Sequence, residues 1–137
     1  MADLEMKVDG GVATMTMNRP EARNALSIKM RSLMDEMFHQ VEFDDAVRCV
    51  VLEGAGDHFM AGGDVKNMYE YLHSHDESDI QSYFLHRIHD LHTIMYSMRR
   101  MPKPIVAKVG GAAVGAGVFF AAAWLMARPK YLVMASV

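Results

Sequence analysis

Ile105-Val106-Ala107-Lys108-Val109-Gly110-Gly111-Ala112-Ala113-Val114-Gly115-Ala116-Gly117 decides the fold. A β-branched run suits a strand, and the small residues after it suit a tight turn. Ala116 to Met126 is then apolar nearly all round, which predicts a buried helix. Upstream, Arg48 to Glu53 reads as a buried strand, Gly54 to Gly63 carries four glycines, and Asp64 caps a helix to about Leu72. A loop this long and glycine-rich is a candidate functional loop.

Outward from these two units, Leu4 to Asp9 and Val12 to Met17 alternate around Gly10-Gly11, which predicts a β-hairpin. Asn18-Arg19-Pro20-Glu21 is a loop, since Pro20 cannot donate to a ladder. Ser27 caps a helix to about Val41, whose inner face is Met30, Leu33, Met34, Met37, Phe38 and Val41. Ser78-x-x-Gln81 has capping-box spacing before a long helix with a face of Ile80, Phe84, Ile88, Leu91, Met95 and Met98. Met101-Pro102-Lys103-Pro104 stops that helix, and Lys130 to Ala135 reads as one more strand. Strands alternating with helices predict an α/β fold, a single domain over 1–137.

Composition narrows the function. With 137 residues, 51% of them hydrophobic, the chain can bury a core and is not disordered. A net charge of −3 argues against non-specific nucleic-acid binding. Val118 to Ala127 is the longest apolar stretch, too short for the roughly 20 residues of a membrane span. Met1-Ala2-Asp3-Leu4-Glu5 has neither a basic start nor an apolar core, so no signal peptide is expected and the expected location is cytoplasmic. Cys49 is alone in an apolar run, where a buried structural thiol is expected rather than a nucleophile. The 14 methionines fall mostly at helix-core spacing and read as core filler.

Both glycine-rich turns lie between a predicted strand and a predicted helix. A helix N-terminus offers unpaired N–H groups and partial positive charge, suited to an anion or a developing oxyanion. Two such turns converging on one point would form a two-donor oxyanion hole. Neither turn has the order of a dinucleotide fingerprint, and no Gly-Lys-Ser/Thr follows either.

Three segments carry a family resemblance: Asn18-Arg19-Pro20-Glu21-Ala22-Arg23-Asn24-Ala25-Leu26, then Phe59-Met60-Ala61-Gly62-Gly63-Asp64-Val65-Lys66, then Pro102 to Gly117. In this order and spacing the chain resembles the enoyl-CoA hydratase/isomerase (crotonase) family, over about the N-terminal half of a usual member. The resemblance implies a crotonase-like core of repeated β-β-α units, the ClpP/crotonase spiral, in truncated form. It implies an acyl-CoA thioester as partner, coenzyme A being part of the substrate and no separate cofactor or metal being needed. The N–H groups of Gly63 and Ala116 would form the oxyanion hole. Ala22, Arg23, Ala25, Ala61, Gly62, Asp64, Val65, Lys66 and Gly115 would contact the substrate, Arg23 and Lys66 through its phosphates. Asp64 has N-capping as its simpler role. The family's assembly, a trimer or a dimer of trimers, is implied as well, while no nucleic acid or membrane partner is.

Departures from the family pattern bear on the reaction. The first acid–base glutamate of family hydratases falls where this chain has Phe119, and a phenyl ring transfers no proton. The second would fall beyond Val137. A catalytically weak homologue, acting as a CoA-thioester-binding or assembly module, is therefore the alternative expectation. His58, beside the first glycine turn, is the histidine worth testing as a base. His86, His89 and His92 read as a polar helix face rather than a metal site.

Overall fold

The computed structural model describes residues 2–126 and 135–136. Strand β1 (Leu4–Asp9) pairs antiparallel with β2 (Val12–Met17) across Gly10 and Gly11. Both glycines have positive φ, +55° and +84°, as a two-residue hairpin matched to the strand twist requires. Helix α1 (Ile28–Phe43) leads to β3 (Cys49–Gly54). Helices α2 (Val65–Leu72) and α3 (Glu77–Arg100) lead to β4 (Ile105–Val109), and α4 (Ala116–Met126) precedes β5 (Ala135–Ser136). The sheet order is β1-β2-β3-β4-β5, parallel from β2 onward. The α/β expectation is met.

Alternation along the strands decides which face is covered. Ala13, Met15 and Met17 of β2 and Val50 and Leu52 of β3 are fully buried on one face. There they join Met30, Met34, Phe38 and Val41 of α1, Ile94 and Met98 of α3, and Phe120 of α4 in one core. Each of these side chains other than Ala13 contributes about 1.5–3 kcal/mol on leaving water. Methionine is the filler it reads as: Met15, Met17, Met30, Met34 and Met60 have no exposed surface. On the other face a polar row crosses the register Thr16↔Glu53↔Lys108. Thr16 Oγ1 donates to Glu53 Oε1 at 3.1 Å, and Lys108 Nζ to Glu53 Oε2 at 3.0 Å.

Helix starts follow their capping chemistry. Ser27 Oγ accepts from Met30 N at 2.9 Å and Asp64 Oδ1 from Asn67 N at 3.1 Å, as read from sequence. The capping box at Ser78 is not used. Helix α3 begins at Glu77 because the Asp76 carbonyl already accepts from Ile80 N at 3.0 Å, and Glu77 and Asp79 favour the positive end of the helix.

Three burial expectations are corrected. The inner stripe of α3 is Arg87, Leu91, Ile94 and Met98, while Ile88 is exposed, because Arg87 takes a place that periodicity gave to an apolar neighbour. Helix α4 is not buried all round: Gly117 and Phe120 face the core, whereas Val118 and Phe119 are about half-exposed. Cys49 is half-buried, on the sheet face away from the helices; burial pushes its thiol pKa up, which keeps it protonated. Of the predicted strand Lys130–Ala135, residues 130–134 lie outside the described residues, and Ala135 pairs with Lys108.

Candidate functional site

Parallel pairing places the loops after β2, β3 and β4 at one edge of the sheet, the strands' carboxyl ends, where α/β folds bind ligands. These loops are the three segments singled out in the sequence. The two glycine turns bond directly to each other. Phe59 N donates to Gly110 O at 2.8 Å, Met60 N to Ala112 O at 3.0 Å, and Val114 N to Met60 O at 3.0 Å. Glycine is required where the backbones meet. Gly62 has φ +95°, and a Cβ there would stand 2.9 Å from Val114 O. A Cβ on Gly117 would overlap Met60 O.

The loop after β2 closes over this pair. Ala61 N donates to Arg23 O at 2.9 Å, and Leu26 N to Gly62 O at 2.7 Å. Asn24 is the clip. It is fully buried, with φ +56°; its Nδ2 donates to Ala55 O at 2.9 Å and His58 O at 2.7 Å, and its Oδ1 accepts from Arg19 N at 2.9 Å. Arg19 Nη1 then reaches Asp64 Oδ2 at 2.9 Å. Burial raises the Asp64 pKa, but the Asn67 N–H, the Arg19 hydrogen bond and the charges of Arg19 and Arg87 outweigh it, so the carboxyl titrates below its ordinary range.

A cavity of about 210 Å³ opens beside the junction, lined by Leu26, Gly63, Met68, Phe84, Ile88, Leu91 and Ala116 together with Arg31 and Arg87. Gly63 and Ala116 thus share one cavity. Among the described residues, neither of their N–H groups donates to a protein acceptor. Ala116 opens α4, so its N–H is one of the groups a helix leaves unpaired. Such an arrangement can receive a carbonyl oxygen that gains negative charge, flanked by an apolar chain.

The sequence-derived residues divide accordingly. Ala22, Arg23, Ala25, Ala61, Gly62, Gly63, Asp64 and Gly115 belong to the three joined loops, and Ala116 is the first residue of α4. Arg23, Val65 and Lys66 are exposed, the last two on the first turn of α2. Asp64 is engaged as N-cap and as partner of Arg19. His58 Nδ1 accepts from Ala112 N at 3.1 Å, so this ring tethers the two turns, and it does not line the cavity. His86, His89 and His92 lie on the exposed side of α3. Phe119 is half-exposed and also does not line the cavity.

Asn24, Arg31 and Arg87 were not found by sequence reasoning. The signal for Arg87 was its four-residue step to Leu91, overlooked because a charged residue reads as a solvated one.

The chain is similar to known proteins over most of its length. The family model described as enoyl-CoA hydratase/isomerase matches residues 12–124. The chain is 33% identical over 114 residues to 1,2-epoxyphenylacetyl-CoA isomerase of Escherichia coli, covering 83% of this chain and 42% of that protein. It is 36% identical over 117 residues to trans-2-decenoyl-[acyl-carrier-protein] isomerase of Streptococcus mutans, covering 85% and 43%. A crystal structure of enoyl-CoA hydratase from Mycobacterium smegmatis superposes with a TM-score of 0.79 at 34% identity, covering 88% of this chain and 45% of that one. The chain therefore spans less than half the length of these relatives.

Proposed function

Because the chain belongs to the enoyl-CoA hydratase/isomerase family, we propose that its cavity receives the acyl group of a coenzyme A thioester and that the Gly63 and Ala116 N–H groups hold the thioester oxygen. One observation carries this reading: both residues line one cavity, and neither N–H has a protein acceptor among the described residues. A donor already in place strengthens its bond as charge develops, and each is worth about 10²–10³ in rate. Leu26, Met68, Phe84, Ile88 and Leu91 give the acyl chain an apolar bed. The joined loops, with Arg23 and Lys66 exposed, would meet the CoA moiety.

Acid–base chemistry is the weak part of the site. No carboxylate or imidazole lines the cavity among the described residues, and Phe119 stands where family hydratases carry a glutamate. That favours a second reading in which the chain binds thioesters, or assembles with relatives, and hydrates poorly. The proposal extends to fatty-acid metabolism, a cytoplasmic setting and homo-oligomers, a trimer or a dimer of trimers, all three on family resemblance. Among the described residues, no helix is long and apolar enough to cross a membrane.

Calorimetric titration with butyryl-CoA, with CoA alone as control, tests the reading. Saturable binding that is tighter for the thioester supports it. Equal binding of both, or none by a folded chain, contradicts it. Rapid hydration of crotonyl-CoA would overturn the weak-catalysis statement.

A further inference from the structure

The cavity wall holds more positive charge than an apolar acyl chain can use. Arg31 and Arg87 are 5% and 8% exposed. An ion this buried is unfavourable unless it is paired. Arg31 is partly compensated: its Nη1 donates to Arg87 O at 3.2 Å and meets Asp90 Oδ2 at 3.4 Å. Its Nε is buried with no partner. Arg87 is held by neutral groups. Its Nη1 donates to Asn67 Oδ1 at 3.2 Å and to Tyr83 Oη at 2.6 Å. Among the described residues no carboxylate lies within ion-pair distance of Arg87. Asp64 is drawn instead to Arg19, and Asp90, to Arg31, is about half-exposed.

Burial, and then the neighbouring Arg87 charge, lower the Arg31 pKa; Asp90 and Tyr83 oppose this. Arg31 and Arg87 line the same cavity. Each borders Phe84, Ile88 and Leu91 on the cavity wall. The lining is otherwise apolar, and a guanidinium is a planar donor set whose geometry matches a carboxylate.

We propose that the cavity selects acyl thioesters whose acyl chain carries a carboxylate, with Arg87 receiving that group and Arg31 reinforcing it. This rests on the thioester reading above and adds the substrate class to it. The anchored Nη1 fixes the plane of the Arg87 fork, leaving its other donors for the ligand.

The test is calorimetric titration of the chain with dicarboxylyl-CoA thioesters of three to six carbons. Each is compared with its monomethyl ester and with the monocarboxylyl-CoA of equal length. At least one acid is expected to bind about tenfold or more tighter than its ester, as charge-assisted hydrogen bonds allow. The Arg87→Gln variant should bring acid and ester within about twofold. The acid–ester comparison on the unaltered chain needs no variant and stands even if Arg87→Gln fails to fold. Binding of the neutral thioesters with no acid preference at any length would overturn this proposal and leave the thioester reading intact. Equal weakening of CoA alone by Arg87→Gln would overturn it too, by assigning the arginine to the CoA phosphates. Failure of every thioester to bind a folded chain would overturn both.

Discussion

Asn24 holds the site together more than any residue read from sequence. Two of its hydrogen bonds join the loop after β2 to the loop after β3, a third ties it to Arg19 within its own loop, and its positive φ is one that asparagine tolerates. Asn24→Ala leaves buried polar groups unsatisfied, so a loss of about 2–4 kcal/mol is expected from urea unfolding, with acyl-CoA binding weakened as the turns separate. A loss below about 0.5 kcal/mol would show that the clip is not needed. Asp64 contributes to the pH dependence of stability. Its folded pKa is depressed, so its contribution is complete above its unfolded pKa, about 3.9, and is lost as pH falls through the folded value. Asp64→Asn keeps an N-cap but gives up the Arg19 ion pair. The stability gap between the two proteins should be widest above about pH 4 and shrink below it. A gap that grows with acidity contradicts this assignment. Asparagine and arginine escaped the sequence reading for one reason: their roles lie in long-range hydrogen bonds, which spacing along the chain does not encode.

At the scale of elements, apolar periodicity located helices and strands better than it located their faces. Strand β4 has the bounds its β-branched run predicts, and the cap residues Ser27 and Asp64 mark true helix starts. Helix α3 shows the failure. Its stripe rotates because Arg87 is buried against Asn67 and Tyr83, taking the facing position that Ile88 was expected to share. Ile94→Ala should therefore cost about 2–4 kcal/mol and Ile88→Ala under about 1 kcal/mol in chemical denaturation. The reverse order would restore the periodic face. Helix α4 failed differently: being apolar all round it offered no moment to read, and only the fold shows that Val118 and Phe119 point away from the core.

For the whole molecule, the legible part was the order of elements and the two glycine turns. Their convergence follows from parallel pairing of β2, β3 and β4, which places the loop after each strand at the same sheet edge. The sequence alone marks each turn; only the register makes them neighbours, and the bonds from Phe59, Met60 and Val114 then lock them. The charge inside the cavity was illegible, since it arises from α1 and α3 meeting over the sheet edge. Under the proposed function, Gly63 and Ala116 together polarise one thioester carbonyl. The most direct measurement is the absorption spectrum of a chromophoric thioester, cinnamoyl-CoA, titrated with the chain and with its Ala116→Pro variant. Proline removes the N–H while suiting the first position of a helix. A saturable red shift with the unaltered chain, diminished in the variant, is the predicted result. Binding without any red shift, or a shift unaffected by Ala116→Pro in a folded variant, would contradict the account.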